Sequence, residues 1–243
     1  MERSHVRIGR VTLGRVPRVV LVVDDRVRGL RRALREGVDL LEARVDRFHR
    51  FDLRHVTSTV RALRRYGVPV IGTVRSHAEG GARRLSNAAR YALYEAIAPL
   101  VNALDIELRS EALLGDVAAL ARRSHSTLIV SYHDFQRMPS KATLGQVVRR
   151  AGSSGADLIK IAARARKTAD VVRLLEFTLR HPERPLVTIA MGPEGTISRL
   201  VFPLAGSRLT YTSLSVRDGQ LPLPALVEGL RLCDPARRPR KIR

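Results

Sequence analysis

The sequence has few of the residues that define several classes of protein. One cysteine, Cys233, occurs in 243 residues, so no disulfide can form within the chain, and a reducing compartment is indicated. No window of about 18 residues is apolar throughout, which argues against a transmembrane helix, and the first residues lack the apolar core of a signal peptide. We therefore expect a cytoplasmic protein with no membrane-spanning segment.

Sequence motifs of several enzyme classes are also missing. We find no GxGxxG after the first apolar run, no phosphate-binding P-loop and no GxSxG. His77 and Glu79 lie close in sequence, but no third ligand follows at a diagnostic spacing, and there is no cysteine cluster. We therefore predict no metal site.

The chain is strongly basic, with 44 Lys and Arg against 23 Asp and Glu and a formal net charge of +21. Such a charge can indicate nucleic-acid binding. However, the arginines are scattered along helical segments, and only 4% of the residues are aromatic, which argues against base-stacking platforms. We expect no nucleic-acid partner, although a basic nucleic-acid-binding protein stays an alternative. The one true basic cluster, residues 236–243, is expected to be a disordered tail.

The sequence does contain a repeated alternation of apolar, strand-like runs and helical patterns. Several runs are apolar on both faces, which is typical of parallel strands buried on both sides of a sheet. Eight such units in about 240 residues predict a single (β/α)8 TIM barrel over residues 1–235. A doubly wound open sheet is the alternative, which the missing GxGxxG disfavours. The runs are 19–23, 39–45, 68–74, 103–108, 126–132, 157–162, 185–191 and 208–214.

One lysine interrupts the sixth of these runs. Lys160 is one of only four lysines in the chain, and it stands in the middle of a run that reads as a buried strand. Lysine is rarely buried without a partner. Alternation along a strand places Lys160 on the same face as Leu158 and Ala162, and the small Ala162 leaves space above the amine.

An inward-facing Lys160 has two interpretations. In a cavity that also contains Arg44 and Arg75, burial and positive neighbours are expected to lower the pKa of the lysine. A neutral amine is a nucleophile that forms an imine with a ketone and requires no cofactor. The alternative is a structural ion pair between Lys160 and Glu107 or Asp134.

The second run carries three charges onto one face of its strand. Glu42, Arg44 and Asp46 alternate with apolar residues, so all three are expected to point into the barrel. A buried ladder of ion pairs would account for this pattern. The functional interpretation is a polar substrate site with opposed charges, because chemistry in this fold sits at the carboxyl ends of the strands.

His133 follows the fifth run, whose strand precedes that of Lys160 in the chain. A lone histidine at a strand end is more often structural than catalytic. Beside an imine, however, its ordinary pKa suits removal of a neighbouring proton near neutral pH. A carboxylate is then needed to orient the ring, and Glu79 is the candidate, because Gly80 and Gly81 let its loop approach closely.

Seven motifs in this order resemble the type I 3-dehydroquinate dehydratase family, over about residues 17–232. No single motif is specific, but their order on a barrel makes the resemblance strong. The motifs are LEARVD (41–46), GTVRS with EGG (72–81), DIEL (105–108), SYHDF (131–135), DLIKIA (157–162), MGPEGTISR (191–199) and TYTSL with GQLPL (210–223).

The resemblance implies a class I aldolase-like barrel that acts as a lyase in the shikimate pathway. It implies an imine between Lys160 and 3-dehydroquinate, His133 as general base and then general acid, and Glu79 as the group that orients the histidine. It also implies a homodimer and no cofactor. The implied substrate-binding residues are Glu42, Arg44, Arg75, Arg199, Gln220, Met191 and Tyr211.

The chain also departs from the family pattern in places. Arg217 and Asp218 stand where a small, proline-containing segment is expected, Asp24 and Asp25 stand near a small polar position, and Met138 replaces a threonine. None of the five belongs to the implied chemical groups.

Another lysine-imine barrel enzyme, such as a class I aldolase, is the alternative with the same fold. His133 together with Glu79 favours the dehydratase, because this pair serves proton removal next to an imine. Arg199, which suits a carboxylate, and the absence of a phosphate-binding glycine loop after the seventh run point the same way.

Overall fold

The computed structural model of the protein describes residues 6–26, 29–215, 219–234 and 237. The predictions made for Arg217 and Asp218, and for the segment 236–243 apart from Arg237, lie outside the described residues. No helix in the described part of the chain is long and apolar enough to cross a membrane.

Eight parallel strands form the centre of the fold, and the eight predicted runs correspond to them one by one. Their bounds differ from the predicted ones by no more than two residues. A short hairpin, which the sequence did not predict, precedes them. The hairpin is β1 (Arg7–Ile8) with β2 (Val11–Thr12), and the eight strands are β3 (Arg18–Val23), β4 (Leu40–Arg44), β5 (Val70–Thr73), β6 (Ala103–Glu107), β7 (Thr127–Asp134), β8 (Leu158–Arg164), β9 (Leu186–Met191) and β10 (Leu209–Ser213).

Each of these eight strands is followed by a helix, and the predicted (β/α)8 barrel is confirmed. The strands pair in the order β10-β3-β4-β5-β6-β7-β8-β9. The backbone N–H of Arg208, just before β10, donates to the carbonyl of Leu186 in β9 at 2.8 Å and brings the two end strands together. The helices are α1 (Leu30–Glu36), α2 (Leu53–Arg64), α3 (Asn87–Ile97), α4 (Glu111–Arg123), α5 (Lys141–Ser153), α6 (Thr168–Leu179), α7 (Ser198–Leu204) and α8 (Leu223–Cys233).

Local sequence fixes where several helices begin. Asp52, Ser86 and Ser140 precede α2, α3 and α5, and the side chain of each accepts a hydrogen bond from the backbone N–H three residues on. Such caps satisfy donors that the first helical turn leaves without a partner. The apolar faces of these helices then pack against the outward-facing residues of the strands.

The interior of the barrel changes from apolar to polar along the strands. At the amino ends of the strands an apolar cluster includes Leu40, Ile129 and Leu158, and Ile8 and Val11 of the hairpin belong to the same cluster. The hairpin therefore closes this end. Further along, the inward positions become charged or hydroxylic, and buried polar groups of this kind require partners. These inward residues are Glu42, Arg44, Thr73, Asp105, Glu107, Ser131, His133 and Lys160.

Arg237 is the described residue of the basic segment 236–243. Its buried guanidinium pairs with Asp39 at 2.9 Å and donates to the carbonyl of Gly37 at 2.8 Å. Asp39 also pairs with Arg18 at 3.1 Å, so the contact links the end of the chain to the starts of β3 and β4. The boundary of the barrel domain at residue 235 stays a prediction.

Candidate active site

Lys160 points into the barrel from the middle of β8 and is 4% exposed. Its Nζ lies 2.9 Å from Oδ2 of Asp105 and 3.3 Å from Oε2 of Glu42. The same atom lies 4.3 Å from the centre of the Tyr211 ring, a distance at which the electron-rich ring face attracts a cation. The hydroxyl of Tyr211 is buried and has no hydrogen-bond partner among the described residues.

The structure changes the predicted surroundings of this amine. Glu107 and Asp134, the partners suggested for a structural pair, are not the ones that bind Lys160. Asp105 binds the amine instead. Simple alternation along β6 places Asp105 on the same face as Glu107, so the sequence offered both residues. The sequence predicts Arg44 and Arg75 as neighbours of the amine, but the charged groups within 3.3 Å of the nitrogen are two carboxylates.

Asp105 joins Lys160 to a second cation. It accepts hydrogen bonds from NH2 of Arg75 at 2.9 Å and from the hydroxyl of Ser131 at 2.7 Å. Burial acts to raise the pKa of Asp105, but the positive charges of Arg75 and Lys160 outweigh it and hold this pKa well below its usual range. The ionised form of Asp105 is therefore favoured, and it holds the amine in place.

Arg75 follows β5, and its side chain is almost fully buried. NH1 of Arg75 donates to Glu107 at 2.9 Å and to Ser131 at 2.7 Å. On its other side, Glu107 accepts from Arg90 of α3 at 2.6 Å. Although burial opposes ionisation, Arg75 and Arg90 hold the pKa of Glu107 below its usual range. The guanidinium of Arg75 is thus committed to acceptors of the protein itself.

Arg44 and Asp46 form a bidentate ion pair, and their arrangement corrects the predicted strand. β4 ends at Arg44, and Asp46 lies in the short 3-10 helix Val45–Arg47. The alternation of a strand therefore does not determine where the side chain of Asp46 points. Nε and NH2 of Arg44 each lie 2.8 Å from an oxygen of Asp46. Asp46 also accepts from the backbone N–H of Ala82 at 3.0 Å, which fixes the loop that carries Glu79.

Glu79 and His133 are brought together by that loop. Oε2 of Glu79 accepts from the backbone N–H of His133 at 2.8 Å and lies 3.0 Å from its Nδ1. The close approach requires glycine, because a Cβ at Gly81 would lie 2.2 Å from the carbonyl oxygen of Arg75. His133 itself pairs in register with Ala162, two residues beyond Lys160 on the neighbouring strand.

The environment of the pair favours a neutral imidazole. Burial, with the charges of Arg75 and Lys160, lowers the pKa of His133 well below its ordinary value. Burial and the nearby charge of Glu107 raise the pKa of Glu79 to about 7. A neutral histidine whose Nδ1 is held by a carboxylate can accept a proton at Nε2, which makes this pair a general base.

Glu79→Gln is expected to stabilise the fold at alkaline pH. Because the pKa of Glu79 rises from 4.5 to about 7 on folding, the folded protein keeps a proton that the unfolded chain releases above pH 4.5. The free energy of unfolding then falls as the pH rises through this window, by something of the order of 1–3 kcal/mol. Glutamine keeps the hydrogen bonds of His133 without this titration.

Urea unfolding at about pH 4 and about pH 8 measures the effect. The variant should match the wild type at the lower pH and be more stable at the higher one. Equal stability of the two proteins at about pH 8 would contradict a raised pKa of Glu79 in the folded protein.

A second part of the site lies where the loops after β9 and β10 meet. Arg199, in the first turn of α7, is 6% exposed, and its Nε donates to the carbonyl of Gly219 at 3.1 Å. Burial lowers the pKa of Arg199 to about 10, and no carboxylate in the described part of the chain pairs with it. Gln220 accepts a hydrogen bond from Ser213 at 2.8 Å, and Met191 ends β9 against the inner apolar cluster. A buried cation of this kind suits an anionic ligand.

The structure thus brings most of the sequence-predicted residues into three groups. Lys160 contacts Glu42 and Tyr211, Glu79 holds His133, and Arg199 binds Gly219, which precedes Gln220. Sequence reasoning missed Asp105 as the main partner of the lysine. Among the described residues, no three His, Cys, Asp or Glu side chains converge in a way that could hold a metal ion.

Comparison with known proteins gives a consistent result. The model of the type I 3-dehydroquinase family matches residues 16–235. The 3-dehydroquinate dehydratase of Thermodesulfovibrio yellowstonii is 36% identical over 88% of this chain and 95% of its own. That of Methanococcoides burtonii is 33% identical over 94% of this chain and 100% of its own.

Two solved structures are similar over nearly their whole length. The 3-dehydroquinate dehydratase from Geobacillus kaustophilus has a TM-score of 0.88 and 32% identity, covering 94% of this chain and 96% of that one. The type I enzyme from Clostridium difficile, whose crystal structure contains covalently modified comenic acid, has a TM-score of 0.87 and 28% identity, with 95% and 98% covered.

Proposed function

The chain belongs to the type I 3-dehydroquinase family, and we propose that it dehydrates 3-dehydroquinate to 3-dehydroshikimate through an imine at Lys160. The enzyme is a hydro-lyase of the shikimate pathway. The observation that carries the proposed mechanism is a buried lysine held by Asp105 and Glu42, one strand away from the Glu79–His133 pair. Together they would supply a nucleophile and a base to a substrate bound between these two strand ends.

The first stage is attack of the Lys160 amine on the C3 ketone of the substrate. The ammonium gives up a proton, the nitrogen adds to the carbonyl carbon, and water leaves to give a protonated imine. Asp105 and Glu42 then face a cation again, so the charges that hold the ammonium also stabilise the iminium. The imine makes the C2 hydrogen acidic, because the electron pair of the broken C–H bond is delocalised into an enamine.

The second stage transfers one proton twice. Nε2 of His133 removes the C2 proton, and Glu79 stabilises the imidazolium that results. The imidazolium then returns the proton to the C1 hydroxyl, which leaves as water while the enamine electrons form the ring double bond. Hydrolysis of the imine releases 3-dehydroshikimate and frees Lys160.

The charges around the amine have separate tasks. We assign Glu42 and Arg44 to the substrate hydroxyls, with Met191 and Tyr211 lining the cavity. Arg75 has both terminal nitrogens engaged by protein acceptors, so its contribution is to fix the anionic state of Asp105 rather than to reach the substrate. This narrows the role that the resemblance implied for Arg75.

Arg199→Met is expected to raise KM by about 10- to 100-fold. We assign Arg199, helped by Gln220, to the ring carboxylate, and a charge-assisted hydrogen bond contributes roughly 1.5–3 kcal/mol to binding. Stability should not suffer, because the substitution removes a buried charge that lacks a carboxylate partner. Initial rates over a range of substrate concentrations measure KM, and Arg180→Met, at an exposed arginine, is the matched control.

The same KM for wild type and Arg199→Met, in a folded protein, would remove Arg199 from carboxylate binding.

The function as a whole is tested by the same assay, which follows the ultraviolet absorbance of the conjugated product. Purified wild-type protein should convert 3-dehydroquinate without any added cofactor, and no conversion would contradict the proposed function.

We assign a homodimer in the cytoplasm as the working form. The family resemblance implies the dimer, and neighbouring helices α6 and α7 support it by exposing the apolar side chains of Val172, Leu179 and Leu204. The single cysteine supports the compartment. Sedimentation equilibrium should give twice the 27.0 kDa mass of one chain, and a species of 27.0 kDa at micromolar concentration would contradict the dimer.

A further inference from the structure

Arg109 lies behind the Glu79–His133 pair, two residues after the end of β6. Its guanidinium stacks over the ring of Tyr132 at 4.3 Å, and its NH2 donates to the Tyr132 hydroxyl at 2.8 Å. NH1 donates to the backbone carbonyl of His133 at 3.2 Å. The side chain is 50% exposed, but these contacts hold its charged end in one place.

This charged end faces the unused oxygen of Glu79. NH1 of Arg109 lies 3.9 Å from Oε1 of Glu79. Oε1 is buried and makes no hydrogen bond to any described residue, whereas Oε2 takes both contacts to His133. Arg109 thus contacts the backbone of His133, the proposed base, and lies opposite the free oxygen of Glu79, which orients that base.

We propose that Arg109 is a positioning residue that favours the ionised form of Glu79 and keeps its carboxylate aligned with His133 during proton transfer. The role rests on the proposed function, because it matters only if His133 is the base. It acts through Glu79 and requires no contact with substrate.

Arg109 acts on Glu79 together with other charges. Burial and the charge of Glu107 oppose ionisation of Glu79, while Arg75 favours it more strongly than Arg109 does. The charge of Arg75 is, however, offset by its own ion pairs with Asp105 and Glu107. Arg44, which donates to the carbonyl of Gly80 next to Glu79, forms a bidentate ion pair with Asp46. Among these cations, Arg109 is the one whose guanidinium has no closer carboxylate than Glu79.

Loss of Arg109 should therefore act on the proton transfer and leave binding unchanged. Without its charge the pKa of Glu79 rises further, so the ionised form is reached only at a higher pH. The imidazolium of His133 also loses part of its stabilisation, because a neutral Glu79 cannot balance its charge. Both effects lower kcat, while the groups that hold the substrate remain.

The experiment compares Arg109→Met with Arg83→Met across the pH range. Arg83 is a matched control, since its guanidinium also stacks on a ring, that of Phe51 at 4.1 Å, and donates to two backbone carbonyls, but it pairs with no carboxylate of the described residues. For Arg109→Met we expect kcat to fall roughly tenfold near neutral pH, as for loss of a charge pair at about 4 Å that water reaches. KM should stay unchanged, and the acid limb of the kcat profile should move to higher pH.

Arg109→Lys should restore most of the acid limb, because it keeps the charge, and Arg83→Met should behave as the wild type. If the wild-type protein turns over 3-dehydroquinate but the acid limb of Arg109→Met does not move, the role of Arg109 is overturned while the proposed function stands. An equal fall in kcat at every pH also overturns it, since that is the signature of a purely structural contact. Failure of the wild type to turn over 3-dehydroquinate overturns the proposed function, and this role with it.

Discussion

Lys160→Met should lower kcat by about 10⁵-fold or more while the protein stays folded. Without the amine no imine forms, the C2 hydrogen keeps its low acidity, and His133 has no reaction to assist. Folding should survive, because Asp105 retains its hydrogen bonds from Arg75 and Ser131. Methionine also fills most of the volume beside the Tyr211 ring. Initial rates of product formation measure the loss, and circular dichroism checks the fold.

Lys141→Met is the matched control for this substitution. Lys141 is exposed at the start of α5 and pairs with Glu176 of α6 at 2.7 Å, outside the barrel interior. Its replacement should leave kcat and KM at wild-type values. If the folded Lys160→Met protein kept more than about one hundredth of the wild-type kcat, covalent catalysis by this lysine would be ruled out.

His133→Ala should retain imine formation and lose turnover by about 10⁴-fold, the upper range for a general acid and base. The substitution removes the group that takes the C2 proton and later returns it to the departing hydroxyl. It leaves Lys160 and its carboxylate partners in place, since His133 makes none of their hydrogen bonds. The imine of this variant should accumulate, and borohydride reduction followed by intact mass should detect it.

His181→Ala serves as the control for loss of a histidine. His181, just after α6, packs its ring against that of Phe177 at 4.3 Å and contacts the carbonyl of Phe177, outside the proposed site. It should turn over substrate at the wild-type rate. Full activity in His133→Ala would exclude His133 from the mechanism. If that variant instead yielded no trapped imine, His133 would be required for imine formation at Lys160 rather than for the later proton transfer.

The barrel could be predicted from the sequence because each of its strands is buried on both faces. A run of five to seven mainly apolar or hydroxylic residues then marks every strand, and the eight runs coincide with β3 to β10. The hairpin of β1 and β2 escaped prediction for the opposite reason. Each of its strands has only two residues, so no alternation can develop, although Ile8 and Val11 complete the apolar floor of the barrel.

The pair of Glu79 and His133 could be inferred because adjacent parallel strands end side by side and two glycines mark a close approach. The partners of Lys160 could not be ranked in the same way. Alternation places both Asp105 and Glu107 on the inner face of β6, and only the tilt of the strands decides which reaches the amine. Arg109 carries no sequence signal at all, since an arginine after a strand is ordinarily a solvated residue.

The predicted position of Asp46 was wrong for a related reason. Alternation assumes that the strand continues, but β4 stops at Arg44 and the backbone turns into a 3-10 helix. Asp46 still meets Arg44, because the turn brings its carboxylate under the guanidinium. The pattern of charges was therefore informative about the ion pair and misleading about the backbone that supports it.

Borohydride reduction in the presence of 3-dehydroquinate, followed by intact mass and peptide mapping, shows whether an imine forms at Lys160 during turnover. We expect an adduct that forms only with substrate, maps to Lys160, and is absent from Lys160→Met. An active wild-type protein that yields no adduct, or an adduct that maps to another lysine, would contradict catalysis through an imine at Lys160.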